Sequence, residues 1–166
     1  MKDRIFQLCD VVRETGYAIH RYHGPGHLER VYENALLHRL KKLGLDVKQQ
    51  HPLTVYDEDG TVVGEYFADL VIENGLIVEL KAARAIADEH VAQILGYLRA
   101  SRVEHGLLVN FGAAKFSIQK FVMSDATISP PRVETRSALP AFCVFLRSLW
   151  PINFMKITRK TVVVVE

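Results

Sequence analysis

Between Tyr66 and Ala83 the chain reads YFADLVIENGLIVELKAA, with three charged residues, Asp69, Glu79 and Lys81, set inside runs of Ala, Leu, Val and Ile. A charge in such surroundings is costly unless it is paired, so each needs a partner from within the protein or from outside it. Two carboxylates held side by side repel, and a divalent cation removes that penalty. Carboxylate oxygens are hard donors and favour Mg²⁺ or Mn²⁺. A lysine beside such a cation can orient or deprotonate a water and stabilise charge on a phosphate. The plain alternative is a cross-strand ion pair between Asp69 and Lys81, with Glu79 solvated at a sheet edge.

Strand periodicity decides whether the three side chains meet. Glu79 and Lys81 lie two apart and share a face with Ile77, while Leu76, Val78 and Leu80 take the other, expected to face the core. On the preceding strand Ala68, Leu70 and Ile72 are expected on that core face, which leaves Asp69 with Glu79 and Lys81. Loop length is the condition. A two-residue Asn74-Gly75 turn would pair position 69 with 80 and turn Asp69 away. A three-residue loop, Glu73-Asn74-Gly75, pairs 69 with 79, and Gly75 suits the left-handed position such a loop needs.

The elements that must position these residues follow from spacing. Residues 3–21 place Ile5, Leu8, Val11 or Val12, and Ile19 near one helical face, and HGPG at 23–26 breaks that helix. A second helix, about 27–43, carries Leu28, Val31, Ala35, Leu36, Leu40 and Leu43 as its stripe, with Gly44 at the left-handed cap position. Then come a strand in DVKQQHPLTVYD, a turn at EDG, and a hairpin from VVGEYFADLVIE to LIVELKA. Residues 88–101 return to helical spacing with Val91, Ile94, Leu95 and Leu98 inward. HGLLVNFG and FSIQKFV finish as strands. The fold class is α/β with a mixed sheet flanked by helices.

Two helices supply further polar candidates. Gln93 and Tyr97, four apart, share a face beside the apolar stripe and could hold a water, Lys81 or a phosphate. Glu29, Tyr32 and Glu33 open the second helix, where Glu29 could add a carboxylate. Each has a bland reading: Gln93 and Tyr97 as boundary residues, Glu29 as a helix-dipole acid, Glu33 as a solvated charge. His20, His23 and His27 cluster at the turn, but Zn²⁺ needs more convergent ligands, and surface or capping histidines are expected. His90 reaches the site rim or is solvated. Tyr22, Tyr66 and Phe67 could stack bases, though core packing is the default for aromatics.

The motifs GHLERVY (26–32), GPGHLERVYENAL, YFADLVIENGLIVELKA, HVAQILGYL and LLVNFG, in that order, resemble the GxxExxY protein family, a branch of the PD-(D/E)XK nuclease-like superfamily. The resemblance covers about residues 3–123. It implies an α-β-β-β-α-β core, with Asp69, Glu79 and Lys81 as the D…E-x-K centre, Glu29 as the first-helix acid, and Gln93 with Tyr97 as a Gln-x-x-x-Tyr motif. It also implies a metal-dependent phosphodiesterase acting on nucleic acid, DNA ahead of RNA. Asp69, Glu79, the Leu80 carbonyl and Glu29 would bind Mg²⁺ or Mn²⁺, and Lys81 would position the attacking water. The rival is a catalytically inactive module of the same fold that binds nucleic acid or protein.

Composition bounds the rest. With 166 residues, 49% hydrophobic and 24% charged, the chain suits one well-buried domain. Residues 1–123 hold 15 Lys and Arg against 16 Asp and Glu, net −1, and residues 124–166 hold 6 against 3, net +3. The body is therefore no polycation, and any nucleic-acid contact must be local or come from the tail. Cys9 and Cys143 form no metal or redox spacing, and MKDRIFQLCDVVRE is no signal peptide. ALPAFCVFLRSLWPINF is too short and too interrupted to span a bilayer. A cytoplasmic protein is expected, with no membrane partner. Residues 1–123 are expected to form the nuclease-like domain. Residues 124–166 are read as an extension that packs on the core, pairs with a sheet edge or stays mobile.

Overall fold

Helix α1 turns Leu8, Val12 and Ile19 into the core at its expected spacing, and runs Lys2–His23. The structure, a computed structural model, describes residues 2–123 and 161–163. Gly24, at φ +67°, ends α1 and donates its N–H to the His20 carbonyl. Helix α2, Glu29–Lys42, buries Tyr32, Glu33, Leu36 and Leu40. Its expected stripe needs correction. Leu28 is 79% exposed and Val31 39%; Tyr32 takes the inward position instead. Its ring stacks on Phe111 at 4.7 Å, and its hydroxyl donates to the Gly24 carbonyl at 2.6 Å and accepts the His27 N–H. That anchor fixes the rotation of α2. Gly44 closes the helix at φ +80°, as expected.

Six strands form one mixed sheet in sequence order: β1 Val47–Tyr56, β2 Val62–Ile72, β3 Leu76–Lys81, β4 His105–Asn110, β5 Ser117–Val122 and β6 Thr161–Val163. All neighbours are antiparallel except β3 and β4. That parallel pair requires a crossover, and helix α3, Asp88–Ser101, supplies it. Helices α1 and α2 cover one face, over Leu70, Ile72, Leu76, Val78 and Leu80. Helix α3 covers the other, over Val71, Ile77 and Leu108. β3 is therefore buried on both faces, which is why its sequence is almost continuously apolar. Of the TVVVVE segment, three residues pair with Ile118–Lys120 at the β5 edge. The rest of the extension, Cys143 included, lies outside the described residues. Among the described residues no helix is long and apolar enough to cross a membrane.

The β2–β3 loop has the three-residue length on which the site depends: Ile72 pairs with Leu76 and Leu70 with Val78. The left-handed residues, however, are Glu73 and Asn74, at φ 49° and 52°, and Gly75 is not among them. A Cβ at position 75 would lie 3.2 Å from Ile5 Cδ1, a tight contact with the end of a side chain.

The close approach that matters more for the site is at Gly112. A Cβ there would lie 2.3 Å from the Ala82 carbonyl carbon and 2.4 Å from the Ala83 nitrogen. Asn110 pins the same place: its Oδ1 accepts the N–H groups of Ala83 and Gly112, and its Nδ2 donates to the Ala83 carbonyl. The segment leaving Lys81 is thus clamped against the end of β4. Gly112→Ala is expected to cost roughly 3 kcal/mol in urea denaturation, because backbone has to move. Gly64→Ala, where the added Cβ meets nothing within 4 Å, is expected to change stability by no more than about 1 kcal/mol.

Candidate metal centre and active site

The site lies where β2 and β3 part. Their ladder ends at Leu70 and Val78, and one step further the Asp69 side chain replaces it: Oδ2 accepts the Leu80 N–H at 2.8 Å. A strand N–H points in the plane of its sheet, so this carboxylate stands in the gap between the strands. Oδ1 accepts from Gln50 Nε2 at 3.1 Å, and the same amide donates to Glu33 Oε1 at 3.0 Å. Gln50 adopts φ 49° opposite Asp69, which breaks the pleat. Ala68 packs in the α3-side cluster, whereas alternation had placed it with Leu70 and Ile72.

Glu79 is 2% exposed. Its Oε1 accepts from Lys81 Nζ at 2.6 Å, and its Oε2 is buried with no hydrogen-bond partner. The ion pair of the plain alternative therefore forms to Glu79 and not to Asp69, and Glu79 is not solvated. Burial, reinforced by the nearby Asp69 charge, pushes the Glu79 carboxyl up to about 8 against the opposing pull of Lys81. Asp69 is also raised, chiefly by burial, with the Leu80 N–H opposing. Burial works against the Lys81 ammonium, but its hydrogen bond to Glu79 and the charges of Glu79, Glu29 and Asp69 outweigh it and hold the pKa above normal. The centre thus has more carboxylates than cations, and an extra proton is retained on the acids.

The remaining candidates surround this centre. Glu29 opens α2, and its Oε2 accepts the Ala82 N–H at 3.2 Å, just past Lys81. Glu33 is no solvated charge: it is 3% exposed and accepts from both Arg30 and Gln50. Gln50 and Asn110 were not singled out from sequence, and Glu33 was read only as a solvated charge. The one available signal was that Glu33 follows Glu29 by a helical turn. On α3, Gln93 Nε2 donates to the Tyr97 hydroxyl at 2.6 Å, so the expected pair forms. Burial first, then the Glu79 charge, raises Tyr97, which places that phenol within electrostatic reach of the centre. His90 is a helix cap, its Nδ1 accepting the Ala87 N–H. His20 is buried, with Nε2 2.9 Å from the Ala113 carbonyl. Tyr22, Tyr66 and Phe67 are 79%, 44% and 50% exposed, against the core packing expected by default.

Whether the residues suit a cation can be judged from their oxygens. Among the described residues, no three His, Cys, Asp or Glu side chains already converge to hold a metal. Asp69, Glu29 and one oxygen of Glu79 are each engaged by a protein donor. Yet Glu79 Oε2 is an unsatisfied buried acceptor beside the half-buried Asp69 carboxylate, and an all-oxygen donor set fits Mg²⁺ or Mn²⁺. The chemistry of the site fits a hard divalent ion.

The family model described as "PD-(D/E)XK nuclease superfamily" matches residues 6–121. Among curated proteins none matches the chain. A solved structure described as "Crystal structure of SSO0001" is similar at 20% identity and a TM-score of 0.49, covering 60% of this chain and 52% of that one. The chain thus spans about half the length of that structure.

Glu79 makes stability depend on pH. Below its ordinary carboxylate range both folded and unfolded chains hold the proton. Between that range and about 8 only the folded state keeps it, so stability falls as pH rises through this window and levels off above it. In EDTA, urea denaturation is expected to show a loss on the order of a few kcal/mol across the window. Glu79→Gln should remove most of that slope, since an amide still accepts from Lys81 but carries no proton to lose. An equal slope in the variant would place the titration elsewhere.

Proposed function

The chain belongs to the PD-(D/E)XK nuclease superfamily, and on that premise we propose that it is a Mg²⁺- or Mn²⁺-dependent nuclease acting on DNA ahead of RNA. The observation that carries this reading is Glu79: a buried carboxylate with one oxygen unpartnered, beside Asp69 and hydrogen-bonded to Lys81. Such an arrangement weakens the fold and gains its use when a cation arrives. Asp69 and Glu79 would hold the ion, with the Leu80 carbonyl and Glu29 completing the oxygen set. When bound, the ion supplies positive charge to the phosphate and acidity to a water.

The chain's own residues do the rest. Lys81, released from Glu79, orients the attacking water and stabilises charge on the phosphate. The water oxygen bonds to phosphorus, one ester P–O bond breaks, and the products carry a phosphate monoester and a hydroxyl. Gln93 and Tyr97, already hydrogen-bonded to each other, line the α3 side and steady Lys81 or the phosphate. We further assign the chain to the GxxExxY branch, on Gly26, Glu29 and Tyr32. In physical terms Tyr32 ties α2 to the Gly24 turn, and that anchor turns Glu29 toward Ala82. Two cysteines without disulfide or metal spacing suit a cytoplasmic setting. The near-neutral body is the observation that favours an inactive binding module.

Purified protein incubated with single- and double-stranded DNA and RNA separates these readings. Cleavage is expected with Mg²⁺ or Mn²⁺ and not with EDTA. Lys81→Ala should lower kcat by about 10²–10³ while metal still raises the Tm. Glu79→Ala should lose cleavage and the metal-dependent Tm rise together. Lys81→Arg should rescue poorly, because a guanidinium is too broad for the site of a compact ammonium. A parent protein that cleaves nothing, with a melting curve indifferent to metal, is the result that establishes the inactive module.

A further inference from the structure

Half of β2 extends beyond β3. Residues from Val62 to Phe67 pair only with β1, and this two-stranded ribbon leaves Tyr56 61% exposed and Tyr66 44% exposed. Where the ribbon faces α3, a cleft of about 310 Å³ opens, with Tyr56, Tyr66, Gly96, Arg99 and Arg102 on its walls.

Three features mark it as more than a gap between elements. Gly96 sits mid-helix, where glycine costs about 1 kcal/mol relative to alanine. Packing does not require it, because a Cβ there would meet only the Tyr66 ring, at 4.0 Å. The glycine keeps the floor of the cleft open beside that ring. Arg99 and Arg102 are exposed, and neither guanidinium has an ion-pair or hydrogen-bond partner among the described residues. Finally, the Tyr66 ring lies 5.4 Å from the Tyr97 ring, so the cleft adjoins the residue that lines the catalytic centre.

The geometry points to a nucleotide subsite: an unpaired base stacks on Tyr66 and its phosphate meets Arg99 and Arg102, on a strand that continues past Tyr97 toward Glu79 and Lys81. This inference rests on the nuclease reading and makes it more specific. A base inside a duplex has both faces stacked and cannot offer one to Tyr66. The substrate is therefore single-stranded nucleic acid or an unpaired end. Aromatic stacking combined with arginine is the recognition chemistry that single strands permit without sequence preference.

Fluorescence anisotropy with the full chain in Ca²⁺, using labelled oligothymidylate and a blunt duplex of equal length, tests this directly. The parent is expected to bind the single strand more tightly. Tyr66→Ala should weaken that binding roughly tenfold, leave the duplex unaffected, and be rescued by Tyr66→Phe. Because Tyr66 touches Tyr97, Arg99→Ala serves as the independent variant: single-strand affinity should fall and its logarithmic salt slope shrink by about one. Single-strand binding unchanged in both Tyr66→Ala and Arg99→Ala overturns the subsite, and Mg²⁺- or Mn²⁺-dependent cleavage by the parent would then leave the nuclease reading intact. Weakened binding in the variants, with no cleavage by the parent, keeps the cleft as a single-strand site and overturns the nuclease reading.

Discussion

The hydrogen bond from the Leu80 N–H to Asp69 Oδ2 is the constraint on which the site depends. A sheet normally satisfies a strand N–H with a carbonyl from the neighbouring strand. Here β2 has turned away, and a side-chain carboxylate takes that carbonyl's place. One bond thereby does two things: it satisfies a buried backbone donor, and it fixes an anion in the seam of the sheet. Everything else converges on that seam. Glu79 and Lys81 come from β3 on one side, Glu29 and Glu33 from α2, and Gln93 and Tyr97 from α3.

Stability and chemistry conflict at this seam. A fold optimised for burial would not leave Glu79 Oε2 without a donor, since an unsatisfied buried acceptor costs about 1–3 kcal/mol. Nor would it set Asp69 and Glu33 on the two sides of a single Gln50 amide. The excess is offset around the rim. Tyr32 stacked on Phe111, the Asn110 bonds to Ala83, and the near-contact at Gly112 hold the backbone so that the acids cannot relax apart. Rigidity in the support is what lets charge be concentrated in the centre.

Much of this was legible in the sequence because it obeys period and length. The order of elements, the three-residue β2–β3 loop and the Gln93–Tyr97 pair all follow from rules that act within a few residues. The misses are residues whose state is set by distant partners. Glu33 reads as a surface acid until Gln50, seventeen positions on, reaches it. Val31 reads as stripe until Tyr32 stacks on Phe111 and takes the inward position, and Leu28 lies ahead of the first helical residue, Glu29. Ala68 keeps the wrong partner in any strict alternation, and at that step a left-handed Gln50 stands on the adjacent strand. Each miss is a tertiary contact overriding a local rule.

The parallel pairing of β3 with β4 also bears on how the chain reaches this state. The β1–β2–β3 meander closes through short loops, but β4 can join only after the whole α3 crossover has been spanned, and closing a longer loop is slower. The Asn110 bonds to Ala83, and with them the clamp beyond Lys81, belong to that late event. Burial is the largest cause of the raised proton affinity of Asp69 and Glu79, so a chain with its meander formed but α3 and β4 not yet in place would hold the two acids on adjacent strands with less of that effect. The electrostatic character of the centre is thus tied to completion of the fold.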